Sequence, residues 1–120
     1  MTQSPPAQRA RSIGALLEQE GPEIDRRREL TPAVVDALVE HDLLRLLLPK
    51  GLGGQEIALL DFCKSTEAVA YHDASTGWFV NQSNISAASA AASMPPEIAA
   101  EVFAGPRTGL AWGAKHNQSK

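Results

Sequence analysis

Cysteine is almost absent from this sequence. Cys63 is the only one, which excludes an intramolecular disulfide framework and any thiolate-rich metal site. Such usage fits a reducing cytoplasm. A basic excess is lacking too: 11 lysines and arginines stand against 14 carboxylates, for a net charge of −3. No broad positive field is then available to hold a phosphate backbone, and nucleic acid is not an expected partner. The start, Met1 to Arg11 with Pro5-Pro6, is polar and has no apolar core of a secretory signal, so nothing in it directs export. Residues 1–11 read as disordered. What is present is ordinary for a globular chain: 43% hydrophobic and 21% charged residues over a length of 120, enough for one core.

Helical signals dominate the rest. Ile13, Leu16, Leu17 and Glu20 fall on one side of a first helix, which Gly21-Pro22 is expected to break or sharply bend. A short helix after Pro22 would carry Glu23 and Asp25 at its positive end and Arg26 to Arg28 at its negative end, a solvated cap that suits the macrodipole. Thr31-Pro32 is a strong helix start, with Leu30 and Val35 spaced as a hydrophobic staple. Val34, Val35, Leu38 and Val39 then form an apolar stripe. Leu43 to Pro49 is an apolar run too short for a helix, expected as a buried extended or single-turn connection before the glycine loop at Gly51 to Gly54.

Helical spacing resumes with Leu59, Phe62-Cys63, Thr66 and Val69-Ala70, ending near His72. Asp73 is placed to cap the next helix. No charged residue stands between Asp73 and Glu97, a length able to cross a bilayer. Asn81, Gln82, Ser83, Asn84, Ser86, Ser89 and Ser93 would each need a partner inside lipid, so a central buried helix is expected and no membrane. Met94-Pro95-Pro96 stops it and starts a shorter one, with Ile98, Val102 and Phe103 toward the core. The strand-like stretch Thr108 to Ala114 runs on without a closing element.

Pro22-Glu23-Ile24-Asp25-Arg26-Arg27-Arg28-Glu29-Leu30, Leu44 through Pro49 to Gly54, Asp73-Ala74-Ser75-Thr76-Gly77-Trp78, and Pro96-Glu97-Ile98-Ala99-Ala100-Glu101-Val102-Phe103 occur in this order. In order and spacing they resemble the N-terminal helical domain of the acyl-CoA dehydrogenase superfamily, over roughly residues 12 to 113. The resemblance implies an all-α domain at residues 12–107, with 108–120 leading into a β domain that the chain lacks. In the complete parent, a middle β domain and a C-terminal four-helix bundle would hold FAD or FMN between them. The catalytic base and the tetramer core would also lie beyond residue 120. The expected partners are those remaining domains, or further copies of the parent, and a small-molecule substrate. The chain alone is expected to bind no flavin and to be inactive.

The Asp73 to Trp78 block also resembles the branch of flavin-dependent monooxygenases, in which this domain lines one side of the substrate and flavin cavity. The helix after the tryptophan sometimes carries a catalytic histidine there. Here it carries Asn81, Gln82, Asn84 and Ser86, which can orient a ligand by hydrogen bonds but cannot act as general bases near neutral pH. With Trp78 they are the residues expected to face substrate or flavin. No catalytic residue and no metal ligand is assigned.

Each has a plainer alternative. A helix tryptophan more often fills core, and buried amides more often bind backbone or water. Cys63 on an apolar stripe reads as a small core residue. His72 and His116 have no partnering carboxylate at a recognisable spacing and His41 sits on a polar face, and Gly51 to Gly54 lacks the strand and helix that a phosphate-binding loop needs. The competing function is a stand-alone helical interaction module without catalysis.

Overall fold

Helix boundaries follow the residues that can satisfy or terminate a backbone ladder. The computed structural model describes residues 4–105, in which there are six α-helices and no strand. They are α1 (Pro6–Ser12), α2 (Gly14–Arg27), α3 (Pro32–Glu40), α4 (Leu59–His72), α5 (Ala74–Ser93) and α6 (Pro96–Val102). Thr31 caps α3 by accepting from Val34 N at 3.4 Å, with Pro32 at the first helical position. Asp73 is the single residue between α4 and α5. Its Oδ2 accepts from Thr76 N at 2.8 Å and from Thr76 Oγ1 at 2.6 Å. Arg28 ends α2 in the left-handed region, φ 58°, and its N–H returns to Ile24 O at 2.8 Å. Arg26 bonds Glu23, and this bond holds the Glu23 carboxyl below the usual carboxylate range.

Two expectations about the first third of the chain are corrected. Residues 6–11, read as part of a disordered start, belong to α1, because Pro5-Pro6 opens a helix and Arg9 docks it. Arg9 is buried: its Nε donates to His41 O at 2.8 Å, and its Nη2 to Gln55 Oε1 at 2.8 Å. Burial lowers the Arg9 pKa, Asp42 opposing, though a guanidinium stays charged. Gly21-Pro22 does not break the helix either, since α2 runs continuously through Pro22. Proline forfeits one backbone bond there. Leu17 and Ile24, buried on either side of it, hold the helix in place.

The main core gathers Leu17 and Ile24 of α2, Val34 and Leu38 of α3, Phe62 and Val69 of α4, and Val80 of α5 around the connector leucines Leu43, Leu44 and Leu46. Each such side chain contributes about 1.5–3 kcal/mol on burial. A smaller cluster of Leu48, Ala87, Ala99 and Phe103 joins the second half of α5 to α6. The connector is not helical, so its backbone groups need other partners. Gln55 N bonds Arg45 O at 2.8 Å, Ile57 N bonds Leu46 O at 2.9 Å, and Glu56 N bonds Leu48 O at 3.1 Å. A 3-10 turn at Lys50–Leu52 and Gly53, at φ 87°, reverse the chain between these segments. Arg45 Nη2 reaches Phe103 O at 2.8 Å and ties α6 to this loop.

Side-chain placement departs from the sequence stripes at three points. Cys63 is exposed, because the buried face of α4 is Phe62, Ser65 and Val69. On α6 the inward residue is Ala99, joined by Phe103 just past its end, while Ile98 is 48% exposed. Helix α5 is buried on one side only. Thr76, Gly77, Val80, Ser83, Asn84 and Ala87 face inward, and Trp78 is 65% exposed. No helix is long and apolar enough to cross a membrane among the described residues. The strand-like stretch at 108–114 and His116 lie outside the described residues.

Candidate functional site

One open groove of about 810 Å³ brings together residues from both halves of the domain. One wall is the first half of α5, with Ser75, Trp78, Phe79, Gln82 and Ser83. The opposite wall is the end of α2 and the start of α3, with Ile24, Asp25, Arg28, Leu30 and Val35 among its residues. The Asp73 cap fixes where α5 starts and so where Trp78 stands. Gln82 lies one helical turn further on, on the same face. Arg27 lies 3.3 Å from Glu29 and Arg26 pairs with Glu23, leaving Arg28 as the one cation among the lining residues.

The sequence-expected residues separate into three groups. Trp78 and Gln82 share the groove. Asn81 and Ser86 are half-buried on α5 and do not line it; the Ser86 hydroxyl has no hydrogen-bond partner. Asn84 points the other way, and its expected role toward substrate or flavin is corrected. It is fully buried, accepting from Leu46 N at 2.8 Å and donating to Leu43 O at 3.0 Å and Val80 O at 2.8 Å. The reason is helical: Asn84 is two positions beyond Gln82, so it is turned about 200° around the axis. Trp78 stands exposed at the groove, so the plainer alternative of a tryptophan filling core does not hold for it.

Sequence reasoning missed the second wall. Asp25, Arg28 and Leu30 read as a helix cap and a staple, and no local signal places them across from Trp78. His72 also has a carboxylate partner, contrary to expectation. Glu18 Oε2, on α2, lies 2.5 Å from its Nδ1. A second groove, about 890 Å³ between α1 and α4, is lined by residues including Arg11, Lys64, Tyr71 and His72 and holds none of the expected site residues. Among the described residues no three or more histidine, cysteine or acidic side chains are grouped as metal ligands.

The main groove can receive a flat, largely apolar group. Trp78 and Phe79 supply π surfaces, Leu30 and Val35 an apolar floor, and Gln82 both a donor and an acceptor. It contains no histidine, and its carboxylates, Asp25 and Glu29, stand on the wall facing α5.

Comparison with known proteins gives the family of the domain. The model of the acyl-CoA dehydrogenase N-terminal domain family matches residues 9–101. Indole-3-acetate monooxygenase of Pseudomonas putida is 37% identical over 81 residues, a match covering 68% of this chain and 20% of that protein. The matched part is thus about a fifth of the curated relative's length. No solved structure is significantly similar. Since the family match spans most of the helical region, the chain belongs to the acyl-CoA dehydrogenase N-terminal domain family.

Proposed function

We propose that this domain forms one wall of the substrate and flavin cavity of a flavin-dependent oxidoreductase of the monooxygenase kind, and that it is inactive alone. The observation that carries this reading is the open groove between α5 and the α2–α3 junction, with Trp78 and Gln82 on one side of it. The groove fits the edge of a planar ring system. It offers a single cation, Arg28, so these residues do not fit the phosphate part of FAD or FMN, which further polypeptide must hold. When bound, the flavin supplies the redox chemistry that none of these side chains can. The domain's own contribution is to exclude water on one side, stack the aromatic part of the substrate on Trp78, and orient it through Gln82. By its name the Pseudomonas relative acts on indole-3-acetate, so an indole-like aromatic compound is the proposed substrate class here. The proposed partners are the remaining domains or further copies of the parent. The proposed location is the cytoplasm, on the ground of the lone Cys63.

Coexpression with polypeptide corresponding to the remainder of the relative tests this proposal. The purified chain alone should carry no flavin absorbance, and the combination should be yellow and oxidise an aromatic substrate. Soluble partners that recover no flavin would refute the reading, as would flavin bound stoichiometrically by the chain alone. In the combination, Trp78→Ala should raise KM for the aromatic substrate by about five-fold, the loss of one aromatic contact. Because the ring is 65% exposed, unfolding free energy should change by less than about 0.5 kcal/mol. Chemical denaturation and steady-state kinetics on the same variant separate the two effects.

The exposed Leu59, Leu60, Tyr71, Ile85 and Ile98 favour a second reading, a helical interaction module without catalysis. Light scattering distinguishes them. A stable oligomer of defined size supports the module, whereas aggregation supports a domain separated from the rest of its protein.

A further inference from the structure

Helix α2 meets the joint between α4 and α5 along one ridge. Gly14, Glu18, Gly21 and Asp25 recur at steps of four and three, which puts them on one helix face. A Cβ at Gly14 would lie 2.5 Å from His72 Nε2 and 2.7 Å from Cδ2 and Cε1, so the imidazole rests directly on the helix backbone. One turn further, Glu18 Oε2 lies 2.5 Å from His72 Nδ1. An ionised carboxylate can only accept, which puts the proton on Nδ1. At Gly21 a Cβ would stand 3.5 Å from Oδ1 of Asp73, the residue whose other oxygen caps α5. There the ridge of glycines ends. Asp25, and Arg28 just past the helix, then stand across from Ser75, Trp78 and Phe79, and the two walls part to form the main groove.

Pro22 sits where close contact gives way to the gap. Lacking an N–H, it leaves the Glu18 carbonyl without its helical donor, so α2 has one fewer backbone bond as it leaves the joint. Two further ion pairs among the described residues, Glu23 with Arg26 and Arg27 with Glu29, join near neighbours in sequence. Glu18 with His72 joins α2 to α4, and the His72 side chain is only 19% exposed.

We propose that Glu18 and His72 are positioning residues that pin the first half of α2 to the α4–α5 joint and thereby set the opening of the groove holding Trp78 and Gln82. The pinning rests on the contacts above. Its consequence for a ligand rests on the proposed function.

The full chain carrying Trp112→Phe retains Trp78 as its sole tryptophan. Acrylamide quenching of its emission reads the groove without any ligand, titration with indole reads binding, and thermal unfolding reads stability separately. Glu18→Ala, His72→Ala and the double variant should shift the quenching constant in one direction, the double no further than either single. Indole binding should weaken roughly three-fold in each. Glu18→Gln keeps an oxygen acceptor and should restore the parent quenching. Gly14→Ala displaces the imidazole with both partners present and should reproduce the shift. A lower melting temperature with unchanged quenching overturns the proposal, as do additive effects in the double variant. If the parent chain takes up no indole while the variants still shift the quenching, the ligand wall fails and the pinning stands.

Discussion

Asn84→Ala should lower the unfolding free energy by about 4 kcal/mol, because two buried backbone groups lose their partners at once. Leu46 N donates to Asn84 Oδ1 and Leu43 O accepts from Asn84 Nδ2, at 2.8 and 3.0 Å, with Asn84 fully buried. The connector that carries Leu43, Leu44 and Leu46 into the core is not helical, so the side-chain amide does there what a backbone ladder does elsewhere. Each buried orphan costs about 1–3 kcal/mol, and the vacated volume adds to it. The Val80 carbonyl bond at 2.8 Å adds little, since that oxygen lies within α5. Asn84→Asp should be no better tolerated. It keeps an acceptor for Leu46 N but turns a carboxylate toward two carbonyl oxygens in a buried site. Urea unfolding followed by circular dichroism measures both. A loss below about 1 kcal/mol for Asn84→Ala would mean that water replaces the amide and that the connector is held by packing alone.

Gly54→Ala should be nearly as costly, about 3–4 kcal/mol. A Cβ there would lie 2.0 Å from the Leu48 carbonyl oxygen and 2.4 Å from its carbon, and neither can rotate away as a side-chain tip would. Relief requires the loop to separate from the connector, which breaks Glu56 N to Leu48 O, 3.1 Å, and Gly54 N to Pro49 O, 3.0 Å. Gly51→Ala, three residues earlier, is the control. Nothing lies within 4 Å of the added carbon, so reduced freedom of the unfolded chain should leave stability unchanged or raised by about 0.5 kcal/mol. Equal effects at the two glycines would show that loop flexibility, and not contact with Leu48, is what glycine supplies here. The pair also separates a packing turn from a ligand loop, because a phosphate cradle would be sensitive at both positions.

Most of the architecture was legible because its signals are local. The Thr31-Pro32 start, the Asp73 cap and the stop at Met94-Pro95-Pro96 each act on backbone groups within a turn, and each marks an observed helix boundary. The family resemblance was legible for a similar reason, since ordered blocks along one chain carry it without any contact between them. Signals that depend on distant partners were misread. Gly21-Pro22 carries the grammar of a break, yet burial of Leu17 and Ile24 outweighs one missing backbone bond. The start of the chain has the composition of a disordered arm, yet Arg9 finds the His41 carbonyl and Gln55 across the fold.

The amino-acid order alone determined an all-helical domain of the acyl-CoA dehydrogenase kind and marked Trp78 and its amide neighbours as unusual on an uncharged helix. Only the tertiary structure decided what those neighbours do. Gln82 joins Trp78 at a groove whose other wall comes from the α2–α3 junction, while Asn84 turns inward to satisfy the connector. Helical phase separates the two by about 200°. Which of those directions is core depends on where the leucine connector passes, a fact that no window of local sequence contains.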